Sequence, residues 1–253
     1  MITLRSKAEV EKIEAACRIV SDTLEYLGTK IRPGVTTQEL DDLAIKYIRE
    51  RGAVSAFKGY NGFPANICTS VNETVVHGIP GKRVLKEGDI IAVDVGVKLN
   101  GFFGDAAMSF PVGAVSEEAR RLIEVTEASL YKGIENARPG KRLYDISNAV
   151  QECAESNGFS VVREFVGHGI GSRMHEDPQI PNFGVPGTGP RLKAGMVLAI
   201  EPMVNSGRHG VEVLDDGWTA VTTDRKLSAH FEHTVYIGED GPEILTKWRK
   251  KKQ

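Results

Sequence analysis

The chain has 253 residues, 41% apolar and 26% charged, with a formal net charge of −2. This is the composition of a soluble globular protein with one large domain or two small ones, and its charge argues against an obligate nucleic-acid binder. Three cysteines without CxxC spacing (Cys17, Cys68, Cys153) argue against a disulfide framework or a structural zinc knuckle and suit a reducing cytosol.

The N-terminal MITLRSKAEVEKIE lacks the apolar centre of a signal peptide, and no run approaches the roughly 18 apolar residues of a membrane span. A cytoplasmic protein is therefore expected. Ser6-Lys7-Ala8-Glu9 reads as a capping box, and Val10, Ile13, Cys17, Val20, Leu24 and Leu27 then form one apolar helix stripe. Arg32-Pro33-Gly34 ends it. Thr36-Thr37-Gln38-Glu39 is a second capping box, leading to Leu40, Leu43, Tyr47 and Ile48, with Gly52 as the terminating C′ residue. Strand-like pieces follow at 53–57, 66–71 and 74–76.

Residues 88–110 carry a hairpin signal. Asn100-Gly101 is the preferred pair for a two-residue type I′ turn. That turn pairs Leu99 with Phe102, which puts Asp105 opposite Gly96 and Asp94 opposite Ala107. Side chains alternate along a strand, so both carboxylates fall on one face, on a cross-strand diagonal of roughly 7–8 Å. Two such acids repel unless one keeps its proton or a cation lies between them. Solvated residues or separate ion pairs are the alternative.

Ser116 is expected to cap a third helix, with Ala119, Leu122, Ile123, Leu130 and Ile134 inward, ending before Arg138-Pro139-Gly140. A fourth carries Leu143, Ile146, Val150 and Cys153, and Gly158 ends it. A strand over 160–166 leads to the glycine-bracketed His168. Strands are then predicted over 196–204, 211–213, 218–222 and 229–237, with Trp218 in the third.

This order repeats. Arg-Pro-Gly recurs at 32–34 and 138–140, and LKEGDIIAVD (85–94) matches LKAGMVLAIE (192–201). The expectation is a single α+β domain over 1–253 with two pseudosymmetric halves, about 1–110 and 111–253. The repeat sets Glu201 where Asp94 stands in the first half, so a composite site is expected between them. In SAHFEHTVYI (228–237), alternation gives His230, Glu232 and Thr234 one face. The candidates become Asp94, Asp105, His168, Glu201 and Glu232. Four carboxylates and one imidazole suit a pair of divalent ions such as Mn, Fe, Co or Zn sharing bridging acids.

These residues and their order resemble the methionine aminopeptidases, in particular the short bacterial type I form. The match rests on VNETVVHGIP (71–80), DVGVKLNGFFGD (94–105), GHGIGSRMHEDP (167–178), AIEPMV (199–204) and FEHTV (231–235). The resemblance implies the pita-bread fold, two α+β halves around a curved antiparallel sheet flanked by helices. It implies hydrolytic removal of the N-terminal methionine from nascent chains and peptides whose second residue is small. Carried over by position, Asp94, Asp105, His168, Glu201 and Glu232 look like the ligands of two divalent ions.

By the same resemblance, His77 looks like the histidine near the scissile amide, and His175 like the one bonding the substrate carbonyl. Glu201 would take a proton from a metal-activated water and deliver it to the leaving amine. The methionine pocket would be Phe57, Tyr60, Phe63, Cys68, Met174 and Trp218, with His77 and His175 at its edge. Phe57 and Met174 depart from members with a small and an aromatic residue at those positions. His230 stands where glutamine is usual, beside Glu232. His209 and His233 receive no role.

Prolidases, aminopeptidase P and creatinase share the implied fold but carry an extra N-terminal domain. A pseudo-peptidase scaffold would have lost metal ligands. The basic stretch Lys247–Lys252 is either a solvated tail or a transient contact with ribosomal RNA. No membrane or DNA partner is expected, and the state expected is a monomer. Because the chain begins Met1-Ile2, it is expected to keep its own methionine, which intact-mass measurement checks.

Overall fold

The computed structural model describes residues 2–248. The first half opens with α1 (Lys7–Gly28) and α2 (Thr37–Arg49). Both begin with the expected capping boxes, in which Ser6 and Thr36 each exchange hydrogen bonds with the glutamate three residues on. Strands β1 (Val54–Ser55), β2 (Cys68–Val71), β3 (Thr74–Val76), β4 (Ile90–Leu99) and β5 (Phe102–Pro111) follow, with a single 3₁₀ turn at Tyr60–Gly62. The second half holds α3 (Glu117–Asn136) and α4 (Leu143–Ser156), and Ser116 caps α3. It continues through β6 (Ser160–Val161), β7 (Val166–Gly169), β8 (Glu176–Pro181), β9 (Val197–Ile200) and β10 (Met203–Asn205). Strands β11 (Val211–Val213), β12 (Ala220–Thr222), β13 (Ser228–His230), β14 (His233–Ile237) and β15 (Pro242–Ile244) complete it.

The hairpin β4–β5 forms in the predicted register, Leu99 opposite Phe102, Gly96 opposite Asp105 and Asp94 opposite Ala107. Asn100 and Gly101 take φ of 49° and 83°, as a type I′ turn requires. β1 and β2 pair with the other edge of β4. In the second half the order β15-β14-β9-β7-β8 makes an antiparallel sheet, beside the smaller set β13-β10-β6, while β11 and β12 pair onto β3 of the first half. Apolar side chains of α1 and α2 pack on β4, burying Val20, Leu24, Leu40 and Val93. Those of α3 and α4 pack on β9 and β14, burying Leu130, Ile146, Leu198 and Val235.

Each Arg-Pro-Gly turn is tied in the same way. Gly34 N–H donates to Leu85 O, and Gly140 N–H to Leu192 O; Leu85 N–H donates to Val35 O, and Leu192 N–H to Lys141 O.

Several strand boundaries differ from the sequence reading. The expected strand 160–166 is two strands, because the chain leaves β6 at Val162 and re-enters at β7. The stretch 196–204 breaks at Glu201-Pro202, where proline has no N–H to continue a ladder. The stretch 229–237 breaks at Phe231-Glu232, directly across from it. Ile200 pairs with His233 and Met203 with His230, so one register runs through both sides of the gap and sets Glu201 opposite Glu232. Trp218 lies just before β12 rather than within a strand. β8 was not foreseen, since Pro178 and Pro181 mask its pattern, nor was β15.

The gap has a second consequence. Freed from the ladder, Glu232 N–H donates to Ala107 O of β5 at 2.9 Å. Thr234 Oγ1 accepts from Asp105 N–H (3.2 Å) and donates to Asp105 O (2.7 Å). Ser109 Oγ donates to His230 O (2.9 Å) and accepts from His230 N–H (3.0 Å). Thus β5 and residues 230–234 run side by side, and this seam joins the hairpin to the second half.

Candidate metal centre

The seam brings five buried or half-buried groups together. Asp94 and Asp105 come from the hairpin, where the register sets both on one face. Glu201 and Glu232 come from the two sides of the gap. His168, on β7, sets its Nε2 3.6 Å from Glu201 Oε1 and 3.8 Å from Asp105 Oδ2. One donor atom each from Asp105, His168 and Glu232 lies within 4.8 Å of the other two.

His168 Nδ1 lies 3.0 Å from Gly169 O. A carbonyl only accepts, so Nδ1 carries the proton and Nε2 turns a free lone pair toward the acids. Burial, with His175 nearby, lowers its pKa to about 3, so it stays neutral. Burial also raises all four acids. Asp94 rises to about 7; Asp105 goes well above the carboxylate range, helped by the charges of Asp94 and Glu201. Glu201 and Glu232 rise likewise, with Asp94 adding to the first and Asp105 to the second.

Among the described residues, Asp94 Oδ1, Asp105 Oδ1 and Glu232 Oε1 are buried without a hydrogen-bond partner. Orphaned carboxylate oxygens converging on one neutral imidazole are costly as they stand. The arrangement fits hard or borderline divalent cations, which would satisfy the oxygens and remove the repulsion.

A cavity of about 200 Å³ opens above these groups. That is below the roughly 300–1,000 Å³ of pockets for drug-sized ligands and suits one side chain. Phe57, Tyr60, Phe63, Cys68 and Trp218 line it, with His77 and His175 beside the acids. Phe63 meets Trp218 edge-on at 5.1 Å and Phe57 at 6.5 Å, which stiffens the apolar wall. Burial, then His175, lowers the His77 pKa to about 4. His175 Nδ1 lies 2.6 Å from the Tyr60 hydroxyl, and desolvation lowers its pKa too.

Met174 departs from expectation. It is buried at 2% exposure but does not line the cavity. Its thioether and the Phe57 ring crowd the space a side chain at Gly96 would need, with Met174 Cε 3.0 Å from that position. Its flexible chain fills the gap over that glycine. Asn61 lines the cavity and was missed. Asn61-Gly62 is a legible turn signal, and Asn61 does take φ 48°, but nothing in the sequence says which way the turn faces.

The other histidines differ in setting. His230 Nε2 is 3.7 Å from Glu201 Oε2 and has no hydrogen-bond partner among the described residues. His233 turns away from the cavity, with Nδ1 on Thr246 Oγ1 at 2.9 Å and its ring 4.5 Å from that of Trp248. His209 is exposed.

The model of metallopeptidase family M24 matches residues 11–239. A methionine aminopeptidase of Clostridium perfringens is 58% identical over 246 residues, covering 97% of this chain and 99% of that one. The crystal structure of methionine aminopeptidase from Rickettsia prowazekii superposes with a TM-score of 0.96 at 44% identity, covering 98% of this chain and all of that one. Prolidase from Pyrococcus furiosus superposes at 0.79 with 22% identity, a likeness of fold alone, and this chain covers 66% of it.

Proposed function

The chain belongs to metallopeptidase family M24, and on that premise we propose that it is a metal-dependent aminopeptidase that removes the N-terminal methionine. Its substrates are nascent proteins and peptides with a small second residue. The fold is the α+β pita-bread fold of that family. We read residues 1–253 as one catalytic unit with an internal repeat. The observation that carries the functional reading is the set of orphaned acid oxygens and the neutral His168 beneath an apolar cavity sized for one side chain.

In this reading Asp94, Asp105, His168, Glu201 and Glu232 hold two divalent ions, of Co, Mn, Fe or Zn. Bound ions of this kind supply Lewis acidity that polarises a carbonyl and acidifies water. Phe57, Tyr60, Phe63, Cys68 and Trp218 take the methionine side chain, with Met174 packed over Gly96 as the Phe57 ring is. Glu201 takes the proton of the attacking water and passes it to the leaving amine. Tyr60 donates to His175 Nδ1, which leaves the Nε2–H of His175 to stabilise the developing oxyanion. His77 orients the scissile amide nitrogen.

The protein works in the cytoplasm as a monomer on nascent N-termini. The basic stretch Lys247–Lys252 is the candidate contact with the ribosome, and its residues 249–252 lie outside the described residues. Two assays test the reading. Met-Ala-Ser should be cleaved and Xaa-Pro peptides left intact; the reverse preference would assign a prolidase-like activity instead. His175→Ala should keep its metal, by elemental analysis, while turnover drops by about tenfold to a thousandfold. Full turnover would remove His175 from the mechanism.

A further inference from the structure

Before α1 begins, the N-terminal arm crosses the second half of the protein. Arg5 N–H donates to Gly195 O at 2.7 Å. The Arg5 side chain is only 5% exposed, and so is that of Glu176, its partner 171 residues away. Arg5 Nη2 donates to both Glu176 oxygens, at 2.6 and 2.5 Å, and Nη1 reaches the capping-box acid Glu9 at 3.4 Å.

Glu176 directly follows His175. Its carboxylate also accepts the Arg173 N–H at 3.0 Å and the Ser172 hydroxyl at 3.3 Å. One carboxylate therefore closes the 171–176 loop, and Arg5 fixes that carboxylate. Gly171 completes the joint, since a Cβ there would lie 2.3 Å from Arg5 Nη2. Taking two ions out of water is costly, and a purely structural staple would do as well with apolar residues. An ion pair adds direction, and here it is spent on the residue next to His175.

We propose that Arg5 is a positioning residue for the reaction, acting through Glu176 to hold the loop that aims His175 at the substrate carbonyl. The inference rests on the role of His175 proposed above. His175 is then gripped from two sides, by Tyr60 at Nδ1 and by the Arg5–Glu176 pair behind its backbone. A displacement of about 1 Å at such a donor costs about a hundredfold in rate.

The test is a set of double-mutant cycles on the metal-loaded protein with Met-Ala-Ser as substrate. Arg5→Met, Arg5→Lys and Glu176→Gln are each made with and without His175→Ala. Alone, Arg5→Met and Glu176→Gln should lower kcat by about tenfold to a hundredfold with KM within about twofold and metal content unchanged. Arg5→Lys should recover part of that loss, and hydrogen exchange of the peptide spanning 171–176 should rise in Arg5→Met.

In the His175→Ala background the same substitutions should cost less than about twofold, because the group they position is gone. Equal losses in both backgrounds, or full kcat in the folded single variants, would overturn the inference and leave His175 in place. If His175→Ala alone costs nothing, the role of His175 falls and the inference with it. Should Arg5→Met not fold, Arg5→Lys and Glu176→Gln decide on the same criteria.

Discussion

The two pairs of acids at this site are held in opposite ways. Asp94 and Asp105 stand in an unbroken antiparallel ladder, diagonal to each other. Glu201 and Glu232 face each other across a gap where the ladder thins to one bond, Phe231 N–H to Pro202 O at 3.3 Å. A ladder sets the facing of its side chains by register, so a turn and an alternation decide which face the first pair takes. A gap aims nothing by itself. It frees backbone groups to bond elsewhere, and here Glu232 N–H bonds the hairpin at Ala107. The first pair is thus placed by local chemistry, and the second by the seam between halves.

The largest expected effect separates the work of the two pairs. Glu201→Gln should lower kcat by about a hundredfold to ten-thousandfold, because it loses the proton carrier as well as a charge. The loss should persist in assays titrated to saturating Mn or Co. Recovery on adding metal would reduce Glu201 to a ligand like its hairpin counterpart Asp94.

Next comes a pH effect on which both pairs should agree. In the metal-free protein all four acids have folded pKa values above their unfolded values of about 4. Each then contributes stability that is fully present below the unfolded value and is lost as pH rises through the folded one, about 7 for Asp94. Bound cations reverse this by favouring the ionised acids. The rise in melting temperature on adding a divalent ion to chelated protein should therefore grow between about pH 5 and 8. At the pH where the added ion stands at a hundredfold excess over its Kd, one bound ion should contribute about 2.7 kcal/mol. A shift that is flat or shrinks with pH would mean that the acids do not bind the ion as a charged set.

Thr234 tests the seam directly. Its hydroxyl holds both backbone groups of Asp105. Thr234→Val leaves those buried groups unpaired and should cost about 1–3 kcal/mol in denaturant unfolding. Activity should fall with it, and Thr234→Ser should retain most of both. Equal stability and activity for Val and Thr would show that the hairpin holds Asp105 unaided.

The same contrast explains what could be read in advance. Ser6, Thr36 and Ser116 announce their helices because a cap is local chemistry, and Asn100-Gly101 fixes the hairpin register residue by residue for the same reason. Alternation alone puts Asp94 and Asp105 on one face. The Glu201 gap was half legible, since Pro202 forbids the ladder, but nothing in FEHTV announces the matching break at Glu232. That break is set by pairing across the sheet and by β5. β8 escaped because its prolines imitate a loop. Resemblance sets Met174 in the cavity wall, whereas its methyl end and the Phe57 ring both pack over Gly96. Arg5 carries no motif at all, because its partner is 171 residues away.

The smallest effect is expected at the hairpin tip. Gly101 has φ 83° and open space where a Cβ would stand, so Gly101→Ala adds backbone strain and no clash. The left-handed conformation costs a non-glycine residue roughly 1–2 kcal/mol, and stability in a denaturant melt should fall by about that amount. Turnover should hold, because the ladder from Ile90 to Leu99 and the Thr234 contacts lie between the tip and the carboxylates and fix them without it. If Gly101→Ala instead lowered kcat as much as Thr234→Val, the turn would be aiming the acids through the ladder. The hairpin would then depend on its tip as the second pair depends on the seam, and the two pairs would no longer differ in kind.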